Sequence, residues 1–258
     1  MKLSEVFVIV SSLMLAVSCS VKENRNMCPC RLVLDMGAVD TSVVKHAELV
    51  VTSSDGFVFR DTLCVEDFEE GCVVEVPRGY VNVGVYSGAA GSVDDKGWLG
   101  IDYGDECPHV HMHSSVILAK GEVEVEEIVM RKNHCIMTIQ VQSEKEFPFR
   151  LEAKGRIDGY KPGGTPSVGE FMYAMYVDEL GSCQLALPRQ TDNSLALEVH
   201  DENGMLRTFA LGEYVAASGY DWGEDDLKDL TISLDYALTR VIIAVADWRE
   251  EFVFDKNI

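Results

Sequence analysis

The chain has 258 residues, and its 43 Asp and Glu against 22 Lys and Arg give a formal net charge of −21. Binding to nucleic acids or to acidic lipid headgroups needs clustered Lys and Arg, so this charge argues against both functions. The length fits one large domain or two domains of about 110–120 residues, and the 47% hydrophobic fraction argues against an acidic disordered chain.

The N-terminus has the pattern of an export signal. Residues 6–17 form an apolar stretch of about 12 residues, too short to span a membrane, which takes about 20. The stretch ends in LAVSC, which resembles a bacterial lipobox. We therefore expect residues 1–18 to be a signal peptide and Cys19 to carry the lipid (a palmitate-type acyl anchor). The alternative is an ordinary signal peptide that is followed by a cysteine by chance. Residues 19–27 are polar and predict a tether.

Short alternating apolar runs predict strands throughout the first half of the mature chain. They cover residues 31–36, 47–52, 57–60, 72–76, 80–86, 110–118 and 122–130. Turn sequences such as SSDG at 53–56 and DDKG at 94–97 separate them. This spacing is typical of a β-sandwich and not of a doubly wound α/β fold.

A second set of strand signals follows a polar break at residues 131–133. It covers residues 134–142, 147–153, 183–187, 195–200, 206–211, 230–234 and 240–246. Residues 171–176 fit either a strand or a helical turn, and residues 212–218 fit a short helix. The sequence therefore predicts an all-β fold with two tandem β-sandwich domains, residues 28–131 and 132–258.

Export permits disulfides, and seven cysteines remain if Cys19 is lipidated. Cys28 and Cys30 form a C-x-C pair without a second close pair, so a structural disulfide is a better interpretation than zinc. One candidate links Cys28 or Cys30 to Cys107. Cys64 and Cys72 are an alternative pair across a hairpin, and the spacing does not decide between the pairings.

Three patterns could hold a metal, and we expect none of them to do so. His109, His111 and His113 would share one face of a strand, but no fourth ligand can be assigned to them. The acidic loops at 102–106 and 221–226 lack the spacing of a calcium-binding loop. Nucleotide-binding and hydrolase motifs are also missing from the sequence.

Four short motifs in their order resemble the FimB-type anchor and assembly lipoproteins of type V fimbriae. They are the lipobox with Cys19, CPCRLVLD at 28–35, VMRKN at 129–133, and LTISLD at 230–235 followed by 241–245 and DW at 247–248. The resemblance implies two transthyretin-like β-sandwich domains and no enzyme activity or cofactor. It also implies a lipid-anchored, surface-exposed protein of the cell outer membrane that binds a fimbrial shaft subunit and anchors the shaft or assists its assembly in cell adhesion. The short tether and the three-histidine strand depart from the family pattern.

A lipid at the N-terminus leaves the opposite end of the chain free to meet a shaft. Phe252, Val253 and Phe254 form a short apolar run near the C-terminus, and we predict that they bind the partner by strand addition. The alternative is an ordinary last strand. A rival function is that of a surface glycan-binding lipoprotein in nutrient uptake, which would present exposed aromatic side chains; Trp98, Trp222 and Trp248 are the only tryptophans. A secreted hydrolase on a β scaffold is a third alternative.

Overall fold

The computed structural model describes residues 28–142, 149–235, 240–245 and 248–255. These residues form strands joined by turns, with two short helices. The all-β prediction is confirmed. None of the helices in these ranges is long and apolar enough to cross a membrane.

The first half of the chain packs two sheets face to face. A three-stranded sheet has the order β4-β1-β8, and a five-stranded sheet has the order β3-β2-β5-β7-β9. β1 runs antiparallel to β4 and parallel to β8. The strands are β1 (Cys30–Asp35), β2 (His46–Ser53), β3 (Val58–Cys64), β4 (Cys72–Val76), β5 (Gly79–Ser87), β6 (Leu99–Gly100), β7 (His111–Ala119), β8 (Val123–Glu127) and β9 (Arg131–Lys132), with helix α1 (Val65–Glu70) between β3 and β4.

Alternation of side chains explains why these residues form strands. In β1, Cys30, Leu32 and Leu34 are fully buried, while the intervening residues face outward. In β5, Val81, Val83 and Val85 are fully buried in the same core. Because side chains alternate between the two faces, a one-residue slip of either strand would expose its whole buried set. Each buried Val or Leu side chain would then lose a contribution of about 1.5–3 kcal/mol.

The second half repeats this arrangement and adds to it. One sheet has the order β12-β11-β14-β15, and the other has the order β13-β10-β16-β17-β18. The strands are β10 (His134–Gln142), β11 (Arg150–Tyr160), β12 (Pro166–Tyr176), β13 (Ser182–Pro188), β14 (Ala196–Asp201), β15 (Gly204–Phe209), β16 (Leu230–Asp235), β17 (Arg240–Val245) and β18 (Trp248–Asp255), with helix α2 (Leu211–Ala217) after β15.

The two halves share one topology that the sequence does not reveal. In each half, the first strand lies at the centre of three strands, in the orders β4-β1-β8 and β13-β10-β16. It pairs antiparallel with the fourth strand of its half, β4 or β13. It pairs parallel with a later strand, β8 or β16. The second and third strands pair in the opposing sheet of each half, as β2 with β3 and β11 with β12. The β17–β18 hairpin extends the second half, and the first half has no counterpart among the described residues.

The halves are not independent along the chain. Residues from the loop after β5, including Val93, Ile101, Cys107 and Val110, belong to the core of the second half. Within this loop, β6 pairs with β11. Gly159 has a φ of 144°, and a Cβ there would lie 2.0 Å from the backbone oxygen of Leu99, so only glycine allows this close contact. The predicted boundary at residues 131–132 falls in β9, the last strand of the first set, and residues that precede it contribute to the core of the second half.

Most predicted strands are present, and the ambiguous run at 171–176 is part of β12. Helix α2 covers the predicted short helix. The sequence did not predict helix α1, nor that β11 and β12 would each reach 11 residues.

Candidate partner-binding site

The C-terminal segment forms the last strand of the five-stranded sheet in the second half. β18 pairs with β17 in antiparallel register, with Phe252 opposite Ile243 and Phe254 opposite Val241. The structure thus brings Phe252, Val253 and Phe254 together in one edge strand. Alternate N–H and C=O groups of an edge strand point away from its neighbour and can pair with another chain.

The two edges of this sheet differ. At the β13 edge, the carboxylate of Glu106 accepts a hydrogen bond from the backbone N–H of Ala186 at 2.5 Å. β13 also ends in Pro188, which has no N–H to offer. At the β18 edge, no strand in the described ranges pairs with the outer side. Among the described residues, the sheet is therefore closed along part of one edge and unpaired at the other.

A hydrogen-bonded junction supports the start of β10, the strand beside β16. The Tyr160 hydroxyl donates to the backbone oxygen of Asn133 and accepts the N–H of Arg189 at 2.8 Å. The Arg189 guanidinium donates to the side-chain oxygen of Asn133 at 3.2 and 3.3 Å and to the backbone oxygens of Trp222, Glu224 and Asp225. Burial raises the pKa of Tyr160, so this hydroxyl stays protonated.

The acidic loops have structural partners. Asp225 and Asp226 lie 3.1 and 3.3 Å from the guanidinium of Arg131. Asp226 also accepts the backbone N–H of Lys132 at 2.7 Å. In the other loop, Glu106 closes the edge of β13. Three acidic residues of the two loops, Asp225, Asp226 and Glu106, therefore have partners within the protein.

The three-histidine segment lies at the junction of the two halves. Val110 and Met112 are buried between the histidines, as the predicted alternation requires. Both ring nitrogens of His113 are engaged, Nε2 with Glu126 at 3.2 Å and Nδ1 with the backbone N–H of Val129.

The rings of His109 and His111 both lie against the ring of His134. The ring centroids are 5.0 Å and 5.5 Å from that of His134. His134 is buried, and its Nδ1 lies 3.1 Å from the backbone oxygen of Val110. Burial lowers the pKa of His134 to about 4.

The cysteines of residues 28–183 are all free thiols in the structure. Cys30 belongs to the core of the first half and Cys107 to the core of the second, while Cys28 is exposed. The structure therefore does not bring the candidate pair Cys30 and Cys107 together. Burial raises the pKa of Cys107 and thereby keeps its thiol protonated.

The signal peptide, Cys19 and the tether of residues 19–27 lie outside the described residues. Trp98 is 42% exposed, and Trp222 packs against Tyr220 with ring centroids 4.8 Å apart. The side chain of Trp248 is also outside the described part. Of the two tryptophans whose side chains are described, Trp98 is therefore exposed and Trp222 is partly buried.

No protein-family model matches the chain, and no curated protein matches it. Several solved structures are similar to it. The fold is similar to that of a protein from Bacteroides thetaiotaomicron whose description proposes polysaccharide binding, with 15% identity, a TM-score of 0.62, and coverage of 86% of this chain and 98% of that one.

Two further structures are similar over nearly the same extent. A protein from Bacteroides ovatus, described as a candidate adhesin, has 13% identity and a TM-score of 0.58, covering 88% of this chain and 96% of that one. The fimbrial anchor protein Mfa2 from Porphyromonas gingivalis has 11% identity and a TM-score of 0.57, covering 86% and 98%. The resemblance seen in the sequence is confirmed at the level of the fold: this chain has the fold of a fimbrial anchor protein.

Proposed function

We propose that this chain is a non-enzymatic lipoprotein of the outer membrane that anchors a fimbrial shaft or assists its assembly. The observation that carries this proposal is the open β18 edge, at the end of a hairpin that extends the second half beyond the shared topology. A shaft subunit would add a strand along this edge. Backbone hydrogen bonds would supply affinity, and alternate side chains would set the register.

The fold of the fimbrial anchor protein Mfa2 supports an anchoring role. The lipobox in the sequence supports attachment of a lipid at Cys19, and the polar tether would separate that lipid from the folded body. The repeated topology supports two transthyretin-like units with a boundary near residues 131–132. With the N-terminus held at the membrane, a site on the last strand remains free for the shaft.

The first test is truncation in cells that produce the fimbriae. A chain that ends at Trp248 loses most of β18, and the matched control ends at Asp255 and keeps the strand. We expect the shorter chain to stay folded and membrane-bound while fibres appear in the medium. Fibres retained at wild-type level by a folded truncated chain would place the binding surface elsewhere.

A second test keeps the chain length and changes single backbone donors. Neighbouring residues of a strand point their N–H groups to opposite edges, so Phe252→Pro and Val253→Pro remove donors from different sides of β18. We expect one variant to lower the melting temperature by breaking the pairing with β17. The other should keep the melting temperature and release fibres. Two variants with unchanged fibre retention would contradict strand addition at this edge.

A further inference from the structure

The outer face of the sheet β12-β11-β14-β15 carries a band of charged side chains. Leu151 and Ala153 of β11 are fully buried on the inner face, so Glu152 and Lys154 project from the outer face. Glu152 lies directly opposite Glu198 of β14. The β18 edge belongs to the other sheet of this half, so a ligand on the charged face would bind independently of the anchoring role.

Cations lie between these carboxylates. The Lys154 ammonium lies 2.6 Å from a carboxylate oxygen of Glu198 and 3.3 Å from one of Glu152. His200 Nε2 lies 2.9 Å and 3.3 Å from the same two oxygens, and Arg150 pairs with the other oxygen of Glu152. Burial would raise the pKa of Glu198, but the hydrogen bonds from Lys154 and His200 hold it below its usual value.

This network is unusual for a sheet surface. Like charges directly opposite on neighbouring strands destabilise a sheet, and Glu152 is only 7% exposed. Exposed ion pairs contribute little stability, and buried ones often contribute less than apolar residues of similar size. What the network does achieve is to hold the partly exposed side chains of Arg150 and Lys154 at fixed positions on the outer face.

A cavity of about 520 Å³ lies at one end of the network. Arg150 and His200 line it, together with the turn of residues 201–204 and the ring of Tyr176, which is 70% exposed. Tyr176 lies opposite Arg150 in the register of β11 and β12. The Nε of Arg150 is buried and has no hydrogen-bond acceptor among the described residues. This end therefore offers an exposed aromatic ring beside the partly exposed side chain of Arg150.

A second cavity of about 510 Å³ lies at the other end. Lys154, Arg156 and Tyr103 line it. The backbone N–H of Gly104 donates to the oxygen of Met172 at 3.0 Å, which fixes the Tyr103 loop beside β12. Tyr103 is 64% exposed, so an aromatic ring lies at this end as well.

Lys154 connects the two cavities. It lines the second cavity and forms ion pairs with Glu152 and Glu198. Arg150 and His200, which line the first cavity, pair with Glu152 as well. From Arg150 to Arg156 the face extends over six residues of β11, or about 20 Å. A tyrosine near each end and a row of donors and acceptors between them form one elongated surface. Its length matches a chain molecule and not a single small ligand.

We propose that this surface binds a neutral polysaccharide. Sugar hydroxyls both donate and accept, so they can pair with the carboxylate of Glu198 and with the partly exposed cations of Arg150 and Lys154. The apolar faces of sugar rings pack on exposed aromatic rings, here Tyr103 and Tyr176. Ordered polar groups on a rigid sheet need little rearrangement on binding.

The charges on this face disfavour other ligands. A polyanion would meet Asp201 and Glu202 at the rim of the first cavity and a chain of net charge −21. A metal ion held by Glu152, Glu198 and His200, whose ligand atoms lie within 4.8 Å of one another, would have to displace the ammonium of Lys154. A neutral polyol needs neither change.

The test is native gel electrophoresis of the full chain in gels that contain dextran, starch, mixed-linkage β-glucan, mannan, xylan or galactan. We expect at least one polysaccharide to retard the wild type. Tyr103→Ala and Tyr176→Ala should each weaken that binding about tenfold. Tyr80→Ala is the matched control, since Tyr80 is 66% exposed but lies in the first half of the chain. Glu198→Gln should also weaken binding, with circular dichroism confirming that each variant folds.

Absence of retardation in all six gels overturns the proposal, and so does equal retardation of the wild type and both tyrosine variants. Zinc provides the remaining comparison. If Zn²⁺ raises the melting temperature of the wild type but not of Glu198→Gln, and no polysaccharide retards the protein, the cluster is a metal site and the proposal is wrong.

Discussion

The hydroxyl of Tyr160 on β11 donates a hydrogen bond to the backbone oxygen of Asn133, the residue that precedes β10. The same hydroxyl accepts the backbone N–H of Arg189, the residue that follows β13. One phenol oxygen therefore joins the two sheets of the second half at the point where the first half ends. Tyr160 is fully buried, so water cannot replace either bond.

Replacement of Tyr160 by Phe should destabilise the fold. The variant keeps the ring but leaves a buried oxygen and a partly buried N–H without a partner, which costs about 1–3 kcal/mol. Urea unfolding followed by tryptophan fluorescence measures this loss. Tyr80→Phe serves as the control because Tyr80 is exposed, and equal stability of the two variants would contradict the role of the Tyr160 hydroxyl.

Replacement of Arg189 by Met should loosen the loop of residues 221–226. The guanidinium donates to three backbone oxygens in this loop and to the side chain of Asn133, so its loss leaves several acceptors without their donor. We expect a loss of about 1–3 kcal/mol of stability and faster cleavage within the loop in limited proteolysis. Arg156→Met, whose single ion pair is 3.9 Å long, is the control and should behave as wild type.

Stability should fall as the pH drops from about 7 towards 4, and His134 should contribute to that fall. Burial lowers its pKa in the folded chain to about 4, against an ordinary value of 6.5. Between these values the unfolded chain binds a proton that the folded chain does not, so folding becomes less favourable as the pH decreases. Each unit of pKa difference corresponds to about 1.4 kcal/mol at most.

His134→Asn isolates this contribution. Its amide can still donate to the backbone oxygen of Val110, but it does not titrate. The melting temperature of the variant should change less between pH 7 and pH 5 than that of the wild type. Parallel curves would show that His134 does not contribute to the pH dependence.

Cys19 is the predicted lipid attachment site. Cells fed a palmitate analogue should label the wild-type protein, and Cys19→Ala should remain unlabelled and leave the membrane fraction. Cys28→Ala is the matched control because this nearby cysteine lies outside the lipobox. Equal labelling of the wild type and Cys19→Ala would refute lipidation at this residue.

The sequence predicted the strands well because each strand buries one face, and this burial leaves a period of two in the residues. It did not predict helix α1, whose sequence VEDFEE is acidic and too short to show a helical period. It also gave no sign that Tyr103 and Tyr176 flank one surface. That arrangement depends on the backbone hydrogen bond from Gly104 to Met172 and on the register of β11 with β12. Both contacts join residues that are distant in the chain.

The difference between the two edges of the five-stranded sheet also limits what the protein can build alone. Since Glu106 covers part of the β13 edge, a second copy would join this sheet most readily through its own β18. Two copies paired in this way form a symmetric dimer in which each β18 is covered by the other. Self-association at β18 would therefore block addition of a shaft subunit at this edge instead of starting a filament.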